Sequence, residues 1–176
     1  MEIKVTLNKP YTEEERLNFI VENNHQLGYI IKETETALEA WGNTDEEDLA
    51  KAKENKYLEA LTKAQEYINS GEALYEFTEG KHIEATDGNI GKFSSYALGF
   101  LSGTIPPENT VEWNTKEDEN VELTSLQVSD ILIGLGAIQS NIWTNKFVAY
   151  KQAIDEAQTI EEVEGIEIDY SIEEEE

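Results

Sequence analysis

A chain of 176 residues and 19.9 kDa has room for one ordinary domain, or one domain with a small appendage, and can bury roughly 70% of its unfolded surface. Its 38 acidic residues outnumber 13 basic ones, and a formal charge of −25 argues against a surface that tracks phosphates, because such surfaces gain affinity by releasing counterions to Lys and Arg. The absence of cysteine excludes a disulfide framework, a thiolate metal site and a Cys nucleophile, and no run approaches the ~18–20 apolar residues of a spanning helix.

With 39% apolar residues, eight Tyr, five Phe and three Trp, the chain is too rich for a disordered acidic polymer, so a soluble folded body with a charged skin is expected. The opening MEIKVTLNKPYTEEER lacks a basic region followed by an apolar run, so the expectation is synthesis in the cytoplasm without a secretory signal. Glu2 to Leu7 alternate with period two, as in a short strand that Pro10 closes. Thr12 and Glu15 have the spacing of a capping box, in which each side chain satisfies a free backbone N–H of the first turn. The helix it starts would bury Leu17, Ile20 and Val21 and stop at Asn23, Asn24 and Gly28. Tyr29–Ile31 and Thr34–Trp41 read as strands ending at Gly42, with a helix as the competing reading.

Thr44 and Glu47 repeat the capping box and open a helix to about Asn69, whose stripe Tyr57, Leu58, Leu61, Ala64 and Ile68 anchors only its second half. Residues 73–78 and 82–86 flank Glu79-Gly80 as a hairpin, and Ile90 to Leu101 recur at helical spacing. A second hairpin joins Val111–Asn114 to Val121–Leu123. Thr124 and Gln127 then cap a helix of about 30 residues, from Val128 through Leu135 and Ile142 to Ile154, the best candidate for the centre of the core. Thr159 and Glu162 form a fourth box before the acidic end, where Ile172–Glu176 is expected to be solvated. The predicted fold class is α+β, helix-dominated, with short antiparallel hairpins and a long C-terminal helix. Its expected divisions are a strand-helix-strand region over 1–43, a domain over 44–170 and an acidic tail over 171–176.

No catalytic, cofactor-binding or metal-ligating residue stands out. His25 and His82 lack a second ligand at i+2 to i+4, and both read as surface or capping histidines. Gly88-x-x-Gly91 and Gly134-x-Gly136 lack the remainder of a phosphate-loop signature, and close helix packing accounts better for Gly134 and Gly136. The acids at 46–48, 117–119 and 173–176 lack the alternation around glycine that a calcium loop needs, so they read as solvated faces. Trp143 reads as core. Trp41 and Trp113, each near a strand end, are the candidate interface residues.

Several phrases carry a resemblance. They are Ala64-Gln65-Glu66-Tyr67-Ile68, the run from Lys81 to Asn89, Glu112-Trp113, Val121-Glu122-Leu123-Thr124, and the ending from Ala153 to Ile166. In this order, from about Thr44 onward, they resemble an uncharacterised domain recurrent at the C-terminus of tailed-phage tail-fibre and related tail-module proteins. The stretch from Tyr11 to Gly42 resembles, more loosely, the openings of small tail-region proteins, which implies an attachment segment. The resemblance covers roughly 125 residues, includes no catalytic signature, and lacks a repetitive shaft or Gly-rich tip. It implies a non-enzymatic bacteriophage structural or assembly protein: an adaptor, a baseplate or fibre accessory subunit, or a fibre chaperone. The expected location is the virion tail, after synthesis in the host cytoplasm. Expected partners are tail, baseplate or fibre proteins and further copies of the chain, with no nucleic acid, membrane or cofactor. The alternative is an acidic inhibitor that imitates DNA's charge on a host nucleic-acid enzyme. An enzyme dependent on a metal or a sugar has least support.

Overall fold

A computed structural model describes residues 1–171, and the expected solvated end at Ile172–Glu176 lies outside them. Strand β1 (Glu2–Asn8) leads through a cis Lys9–Pro10 peptide to helix α1 (Glu13–Ile20), followed by strands β2 (Ile30–Glu33) and β3 (Ala37–Gly42). The strands form one antiparallel sheet in the order β1-β3-β2. Thr12 caps α1 as its spacing predicts: its hydroxyl accepts from the Glu15 amide at 3.2 Å, and the Glu15 carboxylate accepts from the Thr12 amide at 2.7 Å.

The buried face of α1 differs from expectation. Leu17 and Val21 are exposed, and Phe19 and Asn23 turn inward instead. Phe19 packs on Leu38 and Ala40 of the central strand, with Leu7, Tyr11, Tyr29 and Ile31 around them. Asn23 sits in a π-helical turn, Val21–Gln26, that extends α1 past its expected stop, and its amide donates to the Phe19 carbonyl at 2.9 Å. Gly28, at φ 72°, then releases the chain into β2.

Helix α2 (Asp45–Ser70) begins at the Thr44–Glu47 box and ends at Gly71, φ 79°. Its inward residues are Ala60, Ala64 and Ile68, whereas Leu58 and Leu61 of the expected stripe are exposed. Hairpin β4 (Leu74–Thr78)/β5 (Lys81–Glu84), helix α3 (Asp87–Leu101) and hairpin β6 (Val111–Asn114)/β7 (Asn120–Leu123) follow where the sequence places them.

Next comes a long helix interrupted once: α4 (Ser125–Ser140), a π-helical turn (Asn141–Lys146) and α5 (Phe147–Glu156). The interruption has a cause in the apolar spacing. Ile138, Ile142, Phe147, Tyr150 and Ile154 are separated by four, five, three and four residues, and a wider turn at the gap of five keeps Phe147 in line with Ile142. Short α6 (Ile160–Glu164) starts at the Thr159–Glu162 box, and an extended end tucks Ile168 and Tyr170 inward. The Tyr150 hydroxyl clamps that end, donating to the Asp169 carbonyl at 2.6 Å and accepting from the Asp169 amide at 2.9 Å.

The main core joins Ala60, Ala64 and Ile68 of α2 to Ile83, Phe93, Leu123, Val128, Ile131, Leu135 and Ile142. Small alanines on α2 let that helix approach closely while the long helix supplies the bulk. This core and the cluster around Phe19 are separate. The architecture is α+β, helix-dominated, with short antiparallel hairpins and a long C-terminal helix.

Candidate functional site

The two tryptophans singled out from sequence lie in different sheets, and only Trp113 packs against a core cluster. In β3, Leu38 and Ala40 point to Phe19, so strand alternation sends Glu39 and Trp41 to the opposite, open face. Register then sets Trp41's neighbours: it pairs with Ile3 of β1 on one side and Ile30 of β2 on the other. Ile3 is 46% and Ile30 49% exposed, with the half-buried Trp41 between them, so an apolar row crosses all three strands on the open face. The next row is polar, with Thr6, Glu39 and Lys32 in register.

That polar row fixes the indole. Trp41 Nε1 donates to Glu39 Oε2 at 2.9 Å, and Lys32 Nζ stands 4.2 Å from the ring centroid, within cation–π reach. Beside the row, Met1, Leu27, Ile30 and Trp41 border a cleft of about 240 Å³. The face thus offers a braced aromatic flanked by aliphatic side chains, the composition that anchors protein–protein contacts. Ile3 and Ile30 were not singled out from sequence. Period two showed that they alternate, but only the pairing register shows that they flank Trp41.

Trp113 serves the main core. Its ring lies 4.5 Å from that of Phe93 and 6.4 Å from that of Tyr96, with Lys92 Nζ 5.4 Å from its centroid. It lines a cleft of about 340 Å³ whose other walls, apart from Ile83, are polar, among them Glu84, Asn89, Lys116 and Asp118. Trp143 is half-buried at the core's edge, 5.5 Å from Phe147.

The histidine and carboxylate groups resolve into a lock between the hairpins. The loop between β6 and β7 lies along β5: the Lys116 amide donates to the His82 carbonyl at 3.0 Å, and the His82 amide donates to Glu117 Oε2 at 3.0 Å. His82 Nδ1 is 2.8 Å from Glu117 Oε1, Lys116 pairs with Glu84 at 2.5 Å, and Lys81 pairs with Glu119 at 2.7 Å. Hydrogen bonds from the His82 amide and ring hold the Glu117 carboxyl down to about 2, from an ordinary 4.5. Glu84 holds the Lys116 ammonium above its usual range. Glu117 and Glu119, read from sequence as solvated, are therefore tied to the first hairpin, while His25 stays exposed on the α1 extension.

Gly134 packs as expected, its Cα facing the Tyr75 ring, whereas Gly136 faces open space. Among the described residues, no three His, Asp or Glu side chains converge as a metal set, and no helix is long and apolar enough to cross a membrane. No family model, curated protein or solved structure matches the chain.

Proposed function

We propose that the chain is a non-enzymatic bacteriophage tail-associated protein, an adaptor, accessory subunit or fibre chaperone, that docks another tail protein through the open face of its N-terminal sheet. The observation that carries the docking role is the open-face row Ile3–Trp41–Ile30, in which exposed Ile3 and Ile30 flank a half-buried Trp41 held by Glu39 and Lys32. An indole fixed before contact loses little conformational freedom on burial, and that lowers the cost of association. The tail assignment draws on the sequence resemblance over 44–170, and a docking face within 1–43 fits an attachment segment.

The DNA-mimic reading rests on the charge of −25. It needs carboxylates free to imitate phosphates. Here Glu15, Glu47 and Glu162 are turned back onto helix caps, and Glu84, Glu117 and Glu119 are paired between hairpins. These six of the 38 acids are engaged within the fold, and the braced aromatic row gives protein docking a specific geometry that charge by itself does not supply.

Mass spectrometry of purified particles, after lysine cross-linking, tests the proposal. The expected result is the chain in the tail fraction with cross-links from Lys32 to a second tail protein, lost in Trp41→Ser. Absence from particles, together with no tail protein co-purifying with the chain, overturns it.

A further inference from the structure

A second surface differs from the rest of the molecule in charge. In a chain where 38 of 176 residues are acidic, positions 88–107 and 131–154 contain no Asp or Glu. The first segment spans nearly all of α3, and the second runs from α4 through the π-helical turn into α5. α3 and α4 pack against each other, so the acid-free segments adjoin. Their exposed residues carry no carboxylate and include large apolar ones beside polar Asn141, Thr144 and Asn145: Leu98 is 64% exposed, Leu101 86% and Ile133 71%, and Gly91 and Gly136 face open space. On α1, by contrast, exposed Leu17 sits beside Glu13 to Glu15.

We infer that this α3/α4 face is a self-association surface on which a second copy of the chain docks. Charge selects the occupant. Two chains of −25 repel wherever they meet through acidic surface, since like charges brought together at a contact cost several kcal/mol. The α3/α4 face allows close approach without setting carboxylate against carboxylate. A basic partner gains nothing here, because the only charged residues in the two segments are Lys92, Lys146 and Lys151. Area agrees with a dissociable dimer. Strips about 10 Å wide along Ile131–Val148 and Gly91–Leu101, at a rise of ~1.5 Å per residue, give about 430 Å² per copy. The total of roughly 900 Å² lies in the range of weak, transient contacts, below the ~1,200 Å² at which stable interfaces begin.

The inference does not depend on the Trp41 face or on any tail protein. Sedimentation of the purified full chain over a concentration series, at about 50 mM and about 500 mM salt, tests it. The expected result is a monomer–dimer equilibrium that tightens as salt screens the acidic bodies. Ile133→Glu and Leu101→Glu each place a carboxylate in the contact and should raise the dissociation constant at least ~10-fold. Leu17→Glu adds the same charge on α1 and should leave it within about twofold of the parent. Circular dichroism identifies any variant that has unfolded, and since both test positions are exposed, at least one readable variant is expected. A monomer at every concentration and salt, a dimer that loosens as salt rises, or equal effects from the three substitutions each overturns the inference. A contact that forms only with a different, co-expressed protein overturns it too.

Discussion

The two glycines of α4 give opposite expectations for the same substitution. In Gly134→Ala the new Cβ stands 2.2 Å from Tyr75 Cε2 and 2.3 Å from its Cζ. Ordinary carbon contacts lie near 3.5–4.0 Å, so the ring has to retreat by more than ~1 Å. Overpacking of this kind costs about 1–3 kcal/mol, and the higher helix propensity of alanine returns up to ~1 kcal/mol. With that return the expected net loss is up to about 2 kcal/mol. In Gly136→Ala, two positions along, the Cβ meets nothing within 4 Å, so only the propensity gain of about 0.5–1 kcal/mol remains. The propensity gain is common to both variants, so they differ by the overpacking cost of about 1–3 kcal/mol; for a chain of this length each kcal/mol moves Tm by about 2–4 °C, which separates them by roughly 2–12 °C. Urea titration and thermal melts of both variants, repeated with Tyr75→Ala, measure it. With the ring removed, Gly134→Ala should become as favourable as Gly136→Ala. If Gly134→Ala stabilises the parent chain, or loses the same stability without the Tyr75 ring, the packing argument is wrong.

The hairpin lock and the caps give further expectations. Glu117 has a folded pKa of about 2 against an ordinary 4.5, so its stabilising effect is complete above pH 4.5 and fades as pH falls toward 2. Glu117→Gln should therefore lower the urea midpoint at neutral pH, with the gap to the parent closing across that acidic window; a gap that stays constant would remove Glu117 from the linkage. Thr124→Ala removes the oxygen that accepts from the Gln127 amide at 3.4 Å and should cost about 0.5–2 kcal/mol by the same titration, with unchanged stability counting against the cap.

Local chemistry made much of the fold legible. Each of Thr12, Thr44, Thr124 and Thr159 has Glu or Gln three residues on, and the reciprocal bonds of a capping box form at all four. Glu79-Gly80 turns the first hairpin, with Gly80 at φ 71° as a tight turn requires. What escaped depends on spacing or on contacts between distant residues. The gap of five between Ile142 and Phe147 was present in the sequence, but a tally of apolar positions averages it into ordinary helix. On α1, Leu17 and Val21 look like the better core residues, yet the β3 surface receives Phe19, and only the assembled sheet can make that choice. Glu117 looked solvated because its partner His82 is 35 positions away. The two candidate interface tryptophans had equal standing as strand-end aromatics, and pairing register separates them: Trp41 meets Ile3 and Ile30 on the open face of its sheet, while Trp113 meets the Phe93 ring.

The excess of acid is tolerated because it is segregated. A uniform spread of 38 carboxylates would put charge on every helix face and leave no continuous apolar stripe for a core. Instead the acids gather at helix starts, where the dipole and free amides favour them, as at Asp45 to Asp48 of α2. Others sit on ion pairs: Tyr11, Lys9 and Arg16 hold the Glu33 carboxyl below its usual range, and Lys56 and Lys63 do the same for Glu59. That placement leaves 88–107 and 131–154 free to supply Phe93, Ile131, Leu135 and Ile142 to the interior. A helix buried on one side still has an outer side, and an outer side without acids is where a body of this charge repels others least. The same segregation that lets the core form therefore also produces the α3/α4 surface.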